Sequence, residues 1–258
     1  MKSKIAIIAH RGASSYASEN TLEAFRLAVL QKANAIEMDI RGTADGVLVI
    51  SHDRGIKKGK KLLWIDKYTH DDLVSKTNRP LLSLSEVFQE LPKETIFNLD
   101  IKQRGIEKNI VSLIKRHHKQ HLVIIDSFYP GSIILFRRLL PRATLGLSLA
   151  IEDKRDLCRR IPVRVIISLS PYFLRRILGP LILKVAQNCH CDIVNMHVRF
   201  ACKKNIDLLH SIGVKVFVWR IDKEKQMRKL IKLGVDGIKT GKPDVLRKVV
   251  ASDEYVSI

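Results

Sequence analysis

The sequence predicts a TIM (β/α)8 barrel, an α/β fold, and three observations support that prediction. The chain has 258 residues, a length at which α/β barrels commonly form one domain. Short β-branched runs alternate with amphipathic segments along the chain, a pattern typical of parallel strands joined by helical crossovers. The loop after the first predicted strand, residues 10–15, contains neither GxGxxG nor a P-loop, which disfavours an open doubly wound sheet.

Strands and helices alternate through the first half of the chain in the order that a barrel requires. A β-branched run predicts a strand at residues 5–9, and apolar side chains at helical spacing predict a helix at residues 20–32. Ser83 and Glu86 match a capping box, so a helix is expected to start there and to end at Leu91. The other elements predicted in this half are strands at residues 35–39, 47–51, 95–101 and 122–126, and a helix at residues 106–118.

The second half continues the same alternation. A helix at residues 223–233 is expected to end at Gly234, because glycine commonly occupies the position after a helix C-terminus. The other predicted elements are strands at residues 144–148, 163–168, 193–196, 215–219 and 237–239. The basic, weakly periodic stretch at about residues 53–80 fits none of these units. It is predicted to be a small insertion into a single domain that spans residues 1–258.

Net charge is the unusual property of this composition. The chain has 46 Lys and Arg against 26 Asp and Glu, a formal charge of +20. Such a charge predicts attraction to nucleic acid, to an anionic membrane surface or to phosphorylated substrates, although a basic surface without a binding role explains it equally well. The sequence contains no RNA-binding motif of interleaved aromatic and basic residues, so no nucleic-acid partner is expected.

Composition also excludes several classes of protein. A hydrophobic fraction of 46% argues against disorder, and charges interrupt every apolar run well before the length of a transmembrane helix. The four cysteines are scattered, and Cys189-His190-Cys191 has no matching second pair for a metal site. Reduced, packed thiols are therefore expected, and the sequence predicts a cytoplasmic protein.

One connection is too short for a helical crossover and predicts a local cluster of polar residues. Asp45-Gly46 is a strong signal for a two-residue hairpin turn. With that turn the numbers of paired residues sum to about 91, so Asp39 is expected opposite His52. Glu37 precedes Asp39 by two residues on the same strand, so the two carboxylates are expected on one face.

Further polar residues follow other predicted strands, where a barrel places its active site. His10 and Arg11 follow the first strand, and Asp100 and Lys102 end the strand at residues 95–101. Carboxylates without thiolates suit a divalent metal such as Mg²⁺ or Ca²⁺, two imidazoles suit acid–base catalysis, and the two cations suit a phosphate. Each residue alone has a structural interpretation, such as a surface ion pair for Asp100 and Lys102. Their joint placement predicts metal-assisted phosphoester hydrolysis.

The order and spacing of these motifs resemble those of the glycerophosphodiester phosphodiesterases. The resemblance is carried by His10-Arg11-Gly12, Glu19-Asn20-Thr21, Glu37-x-Asp39, Asp45-Gly46 and His52-Asp53. It extends to Ser127-Phe128, to Val218-Trp219 and to residues 234–240, and it therefore covers nearly the whole chain.

The resemblance implies a TIM barrel that hydrolyses a small-molecule glycerophosphodiester to glycerol 3-phosphate and an alcohol with a divalent metal. Such an enzyme belongs to glycerol and lipid metabolism. It also implies a role for nine residues: His10 and His52 as the catalytic acid–base pair, Glu37, Asp39 and Asp100 as metal ligands, Arg11 and Lys102 on the phosphate, Trp219 at the glycerol, and Glu19 in or beside the metal shell.

Two positions depart from the family pattern. The family usually has Glu where this chain has Asp100, whose side chain is one methylene shorter. It typically has an acidic residue or Asn after the Thr of its last motif, where this chain has Gly241 after Thr240. The first departure concerns the metal ligands, and the second concerns the contacts around them.

Two other functions compete with this hypothesis. A lysophospholipase D-type phosphodiesterase at a membrane surface would use the same chemistry. The basic charge and the apolar-basic segment at residues 171–187 suggest such peripheral contact with an anionic membrane, although a core helix explains that segment as well. A catalytically silent barrel that binds anions is the second alternative. The sequence leaves open whether water or a neighbouring substrate hydroxyl attacks the phosphorus.

Overall fold

In the computed structural model, residues 5–78, 80–149 and 171–255 are described. Eight parallel strands form a closed barrel, in which β1 pairs with both β2 and β11. In chain order the strands of the described residues are β1 (Ala6–Ala9), β2 (Ala35–Gly42), β3 (Leu48–Ile50), β4 (Gly55–Lys58), β5 (Lys61–Trp64), β6 (Phe97–Ile101), β7 (Val123–Ser127), β8 (Thr144–Leu149), β9 (Ile193–His197), β10 (Lys215–Trp219) and β11 (Gly237–Thr240). The three outside the barrel are β3, β4 and β5. The prediction of a TIM barrel is confirmed.

Helices pack around the barrel, and their ends follow local sequence signals. Those of the described residues are α1 (Leu22–Leu30), α2 (His70–Thr77), α3 (Leu84–Glu90), α4 (Glu107–Arg116), α5 (Pro130–Leu139), α6 (Pro171–Cys189), α7 (Lys203–His210), α8 (Glu224–Leu233) and α9 (Pro243–Tyr255). The predicted capping box forms at α3, where Ser83 and Glu86 satisfy each other's backbone N–H. Gly234 ends α8 with φ of 88°, as expected of a C-terminal glycine.

The strands divide their side chains between two environments. On β2, Ile36, Met38 and Ile40 point outward into the main apolar core between barrel and helices, so the alternating Glu37 and Asp39 point into the barrel. Four apolar residues, Ile8, Ala35, Ile193 and Phe217, form a smaller cluster of their own. The carboxyl-terminal ends of the strands hold the polar side chains. This end is called the catalytic rim below.

The register predicted for the β2–β3 hairpin is wrong by one residue. Ile40 pairs with Ile50 and Gly42 with Leu48, so the paired numbers sum to 90 and Asp39 lies opposite Ser51, not His52. The physical reason is the loop, in which Thr43 donates its backbone N–H to Val47 O and Gly46 takes φ of +82°. Three residues therefore turn the chain instead of two.

The segment after β3 forms a small structure of its own. Strands β4 and β5 make a separate two-stranded antiparallel sheet, and α2 follows them. Leu63 from this sheet packs with Val49, Ile65 and Leu73 in a cluster distinct from the main core. The basic stretch that the sequence marks as a small insertion thus lies outside the barrel wall.

The second half of the chain completes the barrel. Strand β8 pairs directly with β9, and the strand predicted at residues 163–168 lies outside the described residues. Helix α6 runs through Pro180 and buries Ile182 and Ala186 in the main core, whereas Leu181 is exposed. The side chains of residues 171–178, on which the choice between a core and a membrane-surface helix also depends, lie outside the described ones. Cys189 and Cys191 are free and buried, as predicted for packed thiols. No helix among the described residues has the length and apolar character needed to cross a bilayer.

Candidate active site

Three carboxylates from two neighbouring strands meet at the catalytic rim. Glu37 and Asp39 project from β2, and Asp100 projects from β6 directly opposite Asp39. One oxygen of each side chain lies within 4.8 Å of the others, and all three residues are buried. The structure thus joins the three residues that the sequence predicted as metal ligands, because parallel register aligns the ends of these strands.

Two cations lie against this acidic trio. Lys102 Nζ is 2.9 Å from Asp100 Oδ2 and 3.2 Å from Asp39 Oδ1. Arg11 Nε is 2.9 Å from Asp39 Oδ2, and the Arg11 backbone N–H donates to Glu37 Oε2 at 2.7 Å. Both residues predicted to contact phosphate therefore border the trio and pair with its carboxylates.

The motif at residues 19–21 supports the trio from one side. Glu19 Oε1 accepts a hydrogen bond from Arg11 Nη1 at 2.9 Å, so in this structure Glu19 contacts a cation of the site. Asn20 donates to Asp39 Oδ2 at 2.8 Å and accepts from the Asp39 backbone N–H at 3.3 Å. Sequence analysis quoted Asn20 within its motif but assigned it no role. These two hydrogen bonds join residues from separate parts of the chain, so the local sequence pattern around Asn20 did not indicate them.

The two predicted catalytic histidines lie in different surroundings. His10 directly follows β1, is 8% exposed, and lines a small cavity with Glu37 and Asp100. His52 lies on the loop after β3, with its side chain 34% exposed and its Nδ1 at 3.0 Å from Asp53 Oδ1. Arg41 fixes that loop by donating from Nε and Nη2 to the His52 carbonyl at 3.0 and 2.7 Å.

A second, fully buried ion pair lies inside the barrel, and sequence analysis missed it. Lys239 Nζ from β11 is 2.6 Å from Asp126 Oδ2 of β7, and Asn98 donates to the same oxygen at 2.7 Å. A Cβ on Gly146 would lie 1.9 Å from Asp126 Oδ1, so glycine makes room for this carboxylate. The available signal was a charged residue within each of two otherwise apolar strands.

Aromatic side chains bound the cavity on its outer side. Trp219, predicted at the glycerol site, lines the cavity and packs edge-to-face on His197 with ring centroids 5.2 Å apart. Phe128 also lines it, and Lys102 Nζ lies 4.8 Å from the Phe128 ring centroid. The cavity is thus lined by carboxylates on one side and by aromatic rings on the other.

Burial and neighbouring charges shift the pKa values of the titratable side chains in the site in different directions. Burial and the neighbouring Asp39 raise the pKa of Glu37 to about 8. Burial also opposes ionisation of Asp39, but Lys102 and Arg11 outweigh it and lower the pKa of Asp39 to about 2. Burial, reinforced by Arg11, lowers the pKa of His10 well below 6.5. His10 is therefore a neutral imidazole at neutral pH.

The acidic trio fits a hard divalent cation. Its three donors are carboxylate oxygens, the type that Mg²⁺ and Ca²⁺ prefer. Among the described residues, the buried Asp100 Oδ1 has no hydrogen-bond partner, which an arriving cation would provide. Although Asp100 is shorter than the Glu usual in the family, its oxygen lies within the same 4.8 Å limit as the others.

The second departure from the family pattern has a steric explanation. Asp222 Oδ1 accepts hydrogen bonds from Thr240 Oγ1 at 3.0 Å and from the Gly241 backbone N–H at 2.7 Å. A Cβ on Gly241 would lie 2.6 Å from Ser15 Oγ. A side chain at position 241 would therefore crowd Ser15 on the loop after β1, and Gly241 contacts Asp222 through its backbone N–H.

The fold and this site define a class of protein: a TIM-barrel enzyme with hard metal donors and buried cations at its catalytic rim. The sequence profile of the glycerophosphoryl diester phosphodiesterase family matches residues 10–245. The chain belongs to this family and is accordingly a phosphoric diester hydrolase.

Individual relatives and solved structures agree with that membership. A glycerophosphodiester phosphodiesterase from Caldanaerobacter subterraneus is 29% identical over 266 residues, which cover 96% of this chain and 98% of the relative. The crystal structure of a glycerophosphodiester phosphodiesterase from Parabacteroides distasonis matches with a TM-score of 0.76 at 22% identity and covers 98% of this chain and 100% of its own. An Oleispira antarctica phosphodiesterase in complex with the product sn-glycerol-3-phosphate matches with a TM-score of 0.72 at 21% identity, over 95% of this chain and 96% of its own.

Proposed function

We propose that this chain hydrolyses glycerophosphodiesters to glycerol 3-phosphate and an alcohol with a divalent metal, Mg²⁺ or Ca²⁺. The acidic trio flanked by Arg11 and Lys102 is the observation that carries the proposal. A phosphodiester needs positive charge at its oxygens and a proton donor at its leaving group, and this rim provides groups for both. The sn-glycerol-3-phosphate bound to the Oleispira antarctica neighbour supports the substrate class.

Glu37, Asp39 and Asp100 would hold the metal, which when bound polarises phosphoryl oxygens as a Lewis acid. Arg11 and Lys102 now contact these carboxylates. Both side chains lie beside the trio, where they would donate to the oxygens of a bound phosphate. Charge that develops on the phosphoryl oxygens is then stabilised by two preorganised donors.

The two histidines would divide the proton transfers between them. Burial keeps His10 neutral, so its imidazole suits the general base that takes a proton from water or from a neighbouring substrate hydroxyl. His52 lies beside Asp53, whose Oδ1 contacts its Nδ1 and orients the ring, and it would serve as the general acid for the leaving alcohol. Trp219 would contact the glycerol, and Glu19 would position Arg11 from beside the metal shell.

A lysophospholipid substrate is the second candidate function. A lysophospholipase D from Mus musculus is 24% identical over 275 residues, which cover 97% of this chain and 83% of the relative. That relationship supports the alternative, since the phosphodiester chemistry is shared and the alcohol differs. The buried trio and its cations argue against a silent barrel, because they cost desolvation energy that a structural role does not require.

The experiment that tests the proposal compares substrates and histidine variants. We expect the wild type to release glycerol 3-phosphate from glycerophosphocholine or glycerophosphoethanolamine, and His10→Ala and His52→Ala each to lose about 100-fold or more in turnover. Choline release from lysophosphatidylcholine alone would favour the second candidate. Turnover of neither substrate class with any divalent metal would contradict both.

A further inference from the structure

The antiparallel sheet of β4 and β5 presents an unusual outer surface beside the catalytic rim. Residues 54–64 contain five Lys or Arg and no Asp or Glu. Two large apolar side chains in the same span are exposed, Leu62 at 41% and Trp64 at 44%. Exposed apolar side chains within a cationic segment are typical of a binding surface.

The register of the sheet separates this surface from the face that packs on the protein. Ile56 pairs with Leu63, and both contact the small apolar cluster beneath the sheet. Lys57 pairs with Leu62, and directly opposite residues share a face. Leu62, Trp64 and Lys57 therefore lie together on the opposite face. This group, with Arg54, is called the outer hairpin face below.

The outer hairpin face combines apolar and cationic groups in contact with one another. The Arg54 guanidinium lies 5.8 Å from the centre of the Trp64 ring. Exposed Lys58, Lys60 and Lys61 surround the turn that joins the two strands. A tryptophan and a leucine ringed by lysines match the interface of an anionic bilayer, in which indoles lie at headgroup level and cations contact lipid phosphates.

The hairpin is held in place against the catalytic rim. The Ile65 N–H donates to Arg54 O at 2.9 Å and closes the base of the hairpin. The following residues are tied to the β2–β3 loop, because the Ala44 N–H donates to Tyr68 O at 2.9 Å and the His70 N–H to Asp45 Oδ1 at 3.2 Å. Since β2 carries two of the trio, a surface bound by the hairpin lies next to the active site.

From these observations we propose that the outer hairpin face and its lysine turn dock this protein onto an anionic phospholipid bilayer. The aliphatic Leu62 favours lipid over nucleic acid, because a nucleic-acid site gains little from an exposed leucine. Arg54 already covers part of the indole on which a base would stack. The docking surface is separate from the catalytic residues, so the proposal does not depend on which phosphodiester is hydrolysed.

Vesicle sedimentation of the full chain tests the electrostatic part. We expect binding to vesicles of 70:30 phosphatidylcholine and phosphatidylglycerol, and little binding to phosphatidylcholine alone. Lys60→Glu with Lys61→Glu should weaken binding by about tenfold or more, given the contribution of each lysine near an anionic surface. The matched control is Lys229→Glu with Lys232→Glu, which makes the same charge change at exposed positions on α8 and should stay near wild type. Equal loss in both variants would overturn the proposal.

Tryptophan fluorescence tests the apolar part. The chain has two tryptophans, so Trp219→Phe leaves Trp64 as the single reporter. We expect its emission to shift to shorter wavelength and its quenching by acrylamide to fall when the anionic vesicles are added. Unchanged emission with bound vesicles would contradict insertion of the hairpin.

A third measurement separates this proposal from the proposed function. The Lys60→Glu, Lys61→Glu variant should hydrolyse water-soluble glycerophosphocholine at the rate of the wild-type protein, whatever that rate is. Hairpin-dependent binding to single-stranded RNA without any vesicle binding would overturn the lipid assignment.

Discussion

Glu37 illustrates at the residue scale how burial makes cation binding at this site depend on pH. Its pKa of about 8 means that the metal-free site holds a proton at neutral pH. The protonated Glu37 accepts from the Arg11 N–H, whereas Asp39 is ionised and paired. A cation must therefore displace a proton to bind.

The first prediction follows from that proton. Metal affinity should rise with pH up to about 8, and binding at pH 7 should release close to one proton, because the ion needs the carboxylate form. Titration calorimetry in buffers of different ionisation enthalpy measures the release. Glu37→Gln is the control and should bind metal at least about tenfold more weakly. Binding by wild type without proton release would contradict the assignment.

The same raised pKa predicts the stability of the metal-free protein. Between pH 4.5 and about 8 the folded protein keeps a proton at Glu37 that an unfolded chain releases. The folded state therefore binds more protons than the unfolded state in this range. As a result, the contribution of Glu37 to the free energy of unfolding falls as pH rises. Urea unfolding in EDTA should show this decline in wild type and a smaller one in Glu37→Gln. Equal slopes in both proteins would contradict it.

The buried pair of Asp126 and Lys239 gives a third prediction. Lys239→Met leaves Asp126 unpaired inside the barrel and should lower the free energy of unfolding by about 3–5 kcal/mol. Adding Asp126→Asn should recover most of the loss, since no buried charge then remains. Urea denaturation of the wild type, both single variants and the double variant measures the coupling. Additive effects of the two substitutions would contradict the pairing.

Sequence analysis predicted the trio but not this pair, and the reason is distance along the chain. Glu37 and Asp39 share one strand face by local periodicity, and Asp100 ends another strand at the same rim. Asp126 and Lys239 are 113 residues apart and meet only because the barrel closes. A charged residue in one apolar strand does not identify its partner in another.

At the element scale, two glycines show the difference between a residue that ends a helix and one that lies within a helix. Gly234 ends α8 with φ of +88°, whereas Gly131 lies in α5 at ordinary helical φ. At both positions a Cβ would meet no atom within 4 Å. Gly234→Ala should therefore destabilise by about 1 kcal/mol, and Gly131→Ala should stabilise by about 0.5 kcal/mol. Thermal unfolding measures both. A shift of the same sign for the two variants would contradict this interpretation of the helix ends.

The register of the β2–β3 hairpin was predicted wrongly because the loop between the two strands is longer than expected. Asp45-Gly46 correctly marked a turn, but Thr43 Oγ1 also bonds the Val47 N–H at 3.0 Å and lengthens the loop by one residue. Turn type depends on such side-chain contacts, which residue preferences alone do not reveal. The carboxylates were placed correctly because Glu37 and Asp39 depend on the period of one strand, whereas the position of His52 depended on the loop.

At the scale of the whole molecule, the alternation of strands and helices was enough to predict the barrel. Each βα unit carries its own signal, and a right-handed crossover leaves few other arrangements for eight of them. The surface was less predictable, because the net charge of +20 does not indicate where cations gather. Among the described residues, the hairpin beside the catalytic rim carries five Lys or Arg within residues 54–64. The cytoplasmic location stays a prediction.

Metal-dependent release of glycerol 3-phosphate tests the central claim most directly. Purified protein would be assayed with glycerophosphocholine and glycerophosphoethanolamine after EDTA treatment, and again after Mg²⁺ or Ca²⁺ is restored, beside Asp39→Asn. The account predicts no release in EDTA, recovery with one of the two ions, and loss of about 100-fold or more in Asp39→Asn. Release that continues in EDTA, or an Asp39→Asn variant as active as wild type, would contradict it.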